Sequence, residues 1–302
     1  MTLPRRVLID TNCTPYYHCV SRCVRRAFLC GHDPQTGYDF EHRRAWIENR
    51  LHELADTFAL DLCAYAVMSN HFHVVLHLND KQRSWSREDV IERWSHLHRL
   101  PEWLPTADEC RVAATVELWR ERLGSISWFM KCVNEPLARL ANKEDGCKGR
   151  FWEGRFRSQA LLDEEAVIKC MAYVDLNPVR AKMAETPEDS IHTSVQARIE
   201  GRPGALAPMR HQPASGFHLP LTLPEYLSVV DWTGRALRDD KRGAIDVALP
   251  PIIERLAGQA RHGWLQDMRH LTRRYFRAIG KRSSLMNFRD HLGQQRLKGL
   301  AG

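Results

Sequence analysis

The hydrophobic period switches repeatedly over the first eighty residues. "PYYHCVSRCV" (residues 15–24) alternates and is rich in β-formers, which predicts a strand. "EHRRAWIENRLHELADTFAL" then places Trp46, Ile47, Leu51, Leu54, Ala55 and Phe58 at three-and-four spacing, an amphipathic helix. Residues 62–67 predict a second strand, and Ser69-Asn70 a tight turn into "HFHVVLHL". There the period is two again: His71, His73, Val75 and His77 share one face, and Phe72, Val74, Leu76 and Leu78 the other. The chain therefore opens β-α-β-β. Three imidazoles on one strand face are either a polar, solvated face or a group of ligands.

Residues 80–105 are polar and Trp-rich, with a short helix expected around "SREDVIERWSHLH" and another over "VELWRERL". A further helix runs from 127 to about 142, and Pro136 should kink or break it. "CKGRFWEGRFRSQALL" (147–162) begins as a Gly-punctuated loop and ends as a short strand. "DEEAVIKCMAYVDL" predicts a helix whose acidic first turn suits the macrodipole and which ends before Pro178. Residues 201–224, "GRPGALAPMRHQPASGFHLPLTLP", read as a linker or long surface loop. The expected division is a domain over 1–200, the linker, and a smaller, mainly helical unit over 225–302.

Composition narrows the classes. An apolar content of 43% over 302 residues is enough for one large or two ordinary domains. No run approaches the roughly 18 apolar residues of a membrane span, and "MTLPRRVLIDTN" meets Asp10 and Asn12 too early for a signal peptide. A cytoplasmic protein is expected. The nine cysteines are an odd number without a CxxC pair, which argues for reduced thiols rather than a zinc ribbon. The net charge of +7 is concentrated in residues 251–302, with eleven Lys or Arg against three acids. Such a tail points to phosphate contacts. Arg269, Arg273, Arg274 and Arg277 could gather on one side of a helix there.

The helix ending in "AYVDLNPVRAKM" carries Tyr173 and Asn177 four residues apart, so they project from one face. If that face covers the histidine strand, His71, His73 and Asn177 form a two-nitrogen, one-oxygen site beside a phenol. Neutral mixed ligands suit Mg or Mn when phosphate oxygens complete the shell. "GRFWEGRFR" interleaves Arg150, Arg155 and Arg157 with Phe151, Trp152 and Phe156, which suits phosphate contacts plus base stacking. Phe151 and Phe156 could equally plug a core.

"VMSNHFHVVLHL", "GRFWEGRFRSQAL" and "YVDLNPVRAKM", with "YYHCVSR" before them, resemble in order the motifs of the REP-associated tyrosine transposases, within the single-tyrosine HUH-type superfamily. The resemblance covers residues 14–195. It implies an α+β, ferredoxin-like HUH fold, with a central antiparallel sheet and helices packed on it. It also implies that His71, His73 and Asn177 hold a divalent Mg or Mn and that Tyr173 is the nucleophile. The activity implied is that of a transposase: a single-strand DNA endonuclease and strand transferase working through a 5′-phosphotyrosine. Its partner would be single-stranded DNA, with a hairpin, bound by a monomer or homodimer. Arg150, Trp152, Arg155, Arg157, Arg273 and Arg274 are the candidate DNA contacts. Asp175 stands where many relatives have His, and the polar stretch 80–124 is long. Two other readings stay open: a nucleic-acid-binding regulator that does not cut, and a metal-dependent phosphodiesterase using water.

Overall fold

The computed structural model describes residues 9–24, 29–33, 37–184, 186–202, 204–209, 217–236, 278–294 and 299–301. β1 (Tyr16–Arg22), α1 (His42–Thr57), β2 (Leu60–Val67) and β3 (His71–Leu78) follow one another as the hydrophobic periods require. Next come α2 (Arg87–Ser95), α3 (Glu109–Leu123), α4 (Ile126–Glu144), β4 (Arg157–Leu161) and α5 (Glu164–Asp175). The strands lie in the order β2-β3-β1-β4, and each neighbouring pair is antiparallel. Two interleaved β-α-β crossovers produce this order, which is the ferredoxin-like arrangement within an α+β fold.

The sheet is buried on both sides. On one face Tyr17, Cys19, Phe72, Val74 and Leu76 pack with Ile47, Leu51 and Leu54 of α1 and Phe129 and Val133 of α4. On the other, Ala64, Ala66, Val75 and Leu161 pack with α5 and with α7 (Ser194–Ile199) and α8 (Leu223–Ala236), two helices beyond the short α6 (Asn177–Arg180). Residues 80–124 fold as a hairpin of α2 and α3. Ser86 and Asp89 form a capping box at its start, Asp108 caps α3, and Trp94 stacks on Trp119 at 5.4 Å.

Pro136 does not end α4, which runs unbroken from Ile126 to Glu144. A proline at this position leaves the carbonyl four residues earlier without its helical donor. Arg50 of α1 supplies one, its Nε donating to the Cys132 oxygen at 3.2 Å. The break was expected from local sequence, and a neighbouring helix removes its cause.

The second difference lies at the sheet edge. β5 (Ala278–Gly280) pairs parallel to β4, and β6 (Gly299–Ala301) parallel to β5, with α9 (Arg282–His291) between them. The part of the chain expected to be helical thus also covers an edge that would otherwise expose unpaired backbone groups. Gly280 permits the close approach: a Cβ there would lie 2.9 Å from the Leu162 Cβ. Ala207, Met209, Leu219 and Leu221, in the Pro/Gly-rich segment, and Tyr226, Val229 and Val230 of α8 are all buried in the second core. Residues 237–277, which include Arg269, Arg273, Arg274 and Arg277, lie outside the described residues. No described helix is long and apolar enough to cross a membrane.

One polar anchor fastens α1 to the segment before and after α7. Glu48 accepts from the Tyr65 hydroxyl at 2.5 Å and from Arg202 Nη1 at 3.0 Å, and it also bonds His192 Nδ1. Burial alone would raise its pKa, but the bonds from His192 and Tyr65, with the Arg202 charge, hold it below the usual carboxylate range. A depressed carboxyl contributes stability above its unfolded pKa of about 4.3, and that stability is lost as pH falls through the folded value. Glu48→Gln should lower stability at pH 7 by about 2–4 kcal/mol and flatten its loss below about pH 4. Urea melts of both proteins across pH 3–7 check this, and parallel curves would contradict it.

Candidate active site

Register builds the site. Antiparallel pairing sets His73 opposite Val20 and His71 opposite Arg22, and places His18 between Val75 on one side and Gln159 on the other. Side chains directly opposite share a face. His18, Arg22, His71, His73, Arg157 and Gln159 therefore stand on the face that α5 covers. Beneath α5, β2 contributes the small, fully buried Ala64 and Ala66, which leave the helix room to lie close.

Asp163 caps α5 by accepting from the Ala166 N–H at 2.8 Å, and the last turn of that helix carries Tyr173. Leu176 keeps helical dihedrals, so α6 continues the same spiral. Asn177 and Arg180, four and seven residues after Tyr173, thus stay on its side of the helix. The Tyr173 ring centroid lies 5.7 Å from that of His73 and 6.0 Å from that of His18, and His71 and His73 are 4.8 Å apart. Asn177 Nδ2 donates to the Tyr173 carbonyl oxygen at 3.1 Å.

All three imidazoles are held neutral. Burial pushes His18 and His71 down to about 4 and His73 well below the ordinary value, and for His71 and His73 neighbouring cations add to the effect. A neutral imidazole keeps one lone pair for a metal. His71 Nδ1 meets Asn70 Oδ1 at 2.6 Å; His73 Nδ1 meets His18 Nε2 at 2.8 Å, and His18 Nδ1 meets Gln159 Oε1 at 3.2 Å. Among the described residues, His73 Nε2 is buried with no hydrogen-bond partner. An orphaned ring nitrogen in a dry site costs free energy unless something binds it. Two adjacent neutral imidazoles, one with an orphaned nitrogen, fit a divalent ion.

Among the described residues, Arg180 is a second unsatisfied group at this site. Its guanidinium carbon sits 4.8 Å from the Tyr173 ring centroid, and Nε, Nη1 and Nη2 are all buried without partners. Burial lowers its pKa to about 10. Burial raises the Tyr173 phenol in turn, opposed by the charge of Arg180 and a hydrogen bond from Asn177. A buried cation with no acceptor, next to a phenol, is arranged to receive an anion.

The structure sets the rings of His71, His73 and Tyr173 near one another, and Asn177 one turn beyond Tyr173 is bonded to its carbonyl oxygen. His77 is elsewhere engaged: it bonds Asp61 at 2.8 Å and stacks on Phe217 at 3.7 Å. Asp175 points to the far side of α5, where its carboxylate accepts from Ser194 Oγ, the Val195 N–H and the Tyr226 hydroxyl and so ties down α7 and α8. Arg157 is exposed at the start of β4 on the histidine face. Arg150 and Arg155 are also exposed, whereas Trp152 packs on Phe72 across the other face and donates to the Asn134 carbonyl oxygen at 2.8 Å. Arg273 and Arg274 lie outside the described residues. A further His/Cys/Asp group, Asp10, Cys13 and His291, has ligand atoms within 4.8 Å of one another, and Asp10 is bonded to Tyr17 on the opposite face of the sheet.

His18, Gln159 and Arg180 were not singled out from the sequence. The signals were present but weak: "YYHCVSR" and "RSQAL" put His18 and Gln159 at alternating strand positions, and Arg180 is two helical turns from Tyr173.

No family model matches the chain, and no curated protein matches it. A similar solved structure is that of a REP-associated tyrosine transposase bound to a REP hairpin, at 14% identity and a TM-score of 0.41, over 72% of this chain and 98% of that one. That likeness is distant and leaves the chemistry to the site's own geometry.

Proposed function

We propose that this chain is a metal-dependent, single-strand DNA nicking and joining enzyme of the transposase kind, with Tyr173 as nucleophile. One observation carries the reading: a phenol, two neutral imidazoles with an orphaned nitrogen, and a buried unpaired guanidinium meet at one place. A core aromatic or a solvated strand face needs none of these together.

His71 and His73, with the Asn177 amide oxygen, would hold Mg or Mn. Such an ion, when bound, polarises a phosphate oxygen and offsets charge developing there. Arg180 binds another oxygen of the same phosphate and gains the partner it lacks. Asn177 and Arg180 also favour the phenolate, which counters the burial that raises Tyr173. The Tyr173 oxygen attacks phosphorus, the bond to the 3′ oxygen breaks, and the strand upstream leaves with a free 3′-hydroxyl. The downstream strand stays on Tyr173 as a 5′-phosphotyrosine. Because the new ester conserves the phosphodiester energy, another 3′-hydroxyl can reverse the step without a nucleotide cofactor. Arg22 and Arg157, at the exposed rim of the same face, would contact flanking phosphates, and Arg150 and Arg155 extend the cationic rim.

Purified protein with Mn and a 3′-labelled pool of single-stranded hairpin oligonucleotides carrying randomised flanks should yield a covalent complex that survives denaturing electrophoresis. Cleaved DNA without a complex would point to water as the nucleophile, and binding without cleavage to a regulator. His71→Ala and His73→Ala should each lower complex yield at least about 100-fold. His77→Ala should lower it less than about threefold, since a His four strand residues on is about 13 Å away. Equal losses for His73→Ala and His77→Ala would contradict the ligand assignment.

A further inference from the structure

We propose that Gln159 and His18 are positioning residues whose two hydrogen bonds in series fix the tautomer of His73 and aim its Nε2 lone pair into the site. The inference rests on the metal reading above for its purpose, but its geometry stands apart from it. An amide oxygen only accepts, so the 3.2 Å contact between Gln159 Oε1 and His18 Nδ1 requires the proton on that nitrogen. A neutral imidazole has one N–H, which leaves His18 Nε2 as an acceptor. The 2.8 Å contact to His73 Nδ1 then requires the proton on Nδ1 of His73. His73 Nε2 is left with its lone pair, and it is the ring nitrogen that is buried without a partner.

Packing makes the assignment rigid. His18 and Gln159 are 3% and 2% exposed and face each other across β1 and β4. The His18 and His73 rings are nearly parallel, 13° apart, at 5.1 Å between centroids. With both side chains buried, the Gln159 oxygen against His18 Nδ1 sets the direction of the series. His71 has its own shorter version, with Asn70 Oδ1 against Nδ1. Ligating histidines are generally oriented by an acceptor on the other ring nitrogen, and loss of that acceptor costs 10–100-fold in metal affinity. Here the acceptor acts at one remove.

Two variants and two readouts test this. Gln159→Met keeps the volume and removes the acceptor; Gln159→Glu keeps an acceptor. In ¹⁵N-histidine-labelled protein without metal, His73 should show the Nδ1–H tautomer in the unaltered chain and in Gln159→Glu. It should become mixed in Gln159→Met. Mn²⁺ affinity, read from the free-ion electron paramagnetic resonance signal, should fall about 10–100-fold in Gln159→Met and return in Gln159→Glu. An unchanged tautomer and affinity in Gln159→Met would overturn the proposal. So would equal loss in both variants, which marks a merely structural residue. If the tautomer responds as stated but the unaltered chain binds no Mn²⁺, the relay stands and the metal reading fails.

Discussion

Tyr173→Phe should abolish the covalent complex while DNA binding and stability stay near those of the unaltered chain. The substitution removes one oxygen and leaves the Asn177 bond to the Tyr173 carbonyl oxygen in place. The ring remains to pack against His18 and His73 and to carry the Arg180 guanidinium. Loss of one partly satisfied hydroxyl costs less than about 1 kcal/mol, so the fold survives and the comparison is clean. Normal complex yield from Tyr173→Phe would remove the nucleophile from the account. Tyr65 would not be the replacement: it is fully buried on the other face, with its hydroxyl on Glu48. Tyr16 would be, because it stands on the same sheet face as His18 and His73.

Arg180→Met should move stability and activity in opposite directions. The guanidinium is buried with three unpartnered nitrogens, a state that costs free energy in the absence of an anion. Methionine fills similar space without charge, so the free protein should gain about 1–2 kcal/mol. Cleavage at saturating DNA should fall about 100–1,000-fold, the usual cost of removing one donor from developing oxyanion charge. Thermal melts of the free protein and single-turnover cleavage measure the two effects. A variant that is both less stable and fully active would show that Arg180 is a packing residue and that the phosphate is held elsewhere.

What could be read from the sequence follows from the range of the forces involved. The β-α-β-β opening and α5 were legible because apolar period and caps are local signals, and the pairing of Tyr173 with Asn177 needed only helix geometry. The relay was not legible, because Gln159 meets His18 only through the register of β4 on β1, a contact across 141 residues. Arg180 was closer to reach, since seven residues from Tyr173 are nearly two full turns. The Pro136 break failed for a similar reason: Arg50, on another helix, satisfies the orphaned carbonyl. β5 and β6 have three residues each, too short to show a period, and sheet-edge coverage is decided by β4. Glycine at 280 is the one local hint, and it states only that something approaches closely.

Mass spectrometry of the trapped complex shows whether Tyr173 becomes joined to DNA. After nuclease trimming, trypsin cuts behind Lys169 and Arg180 and releases residues 170–180, in which Tyr173 is the one tyrosine. A 5′-phosphonucleotide is expected on that peptide, present with Mn²⁺ and absent with a chelator. A nucleotide on the peptide bearing Tyr16, or cleaved DNA with every tyrosine unmodified, would contradict it.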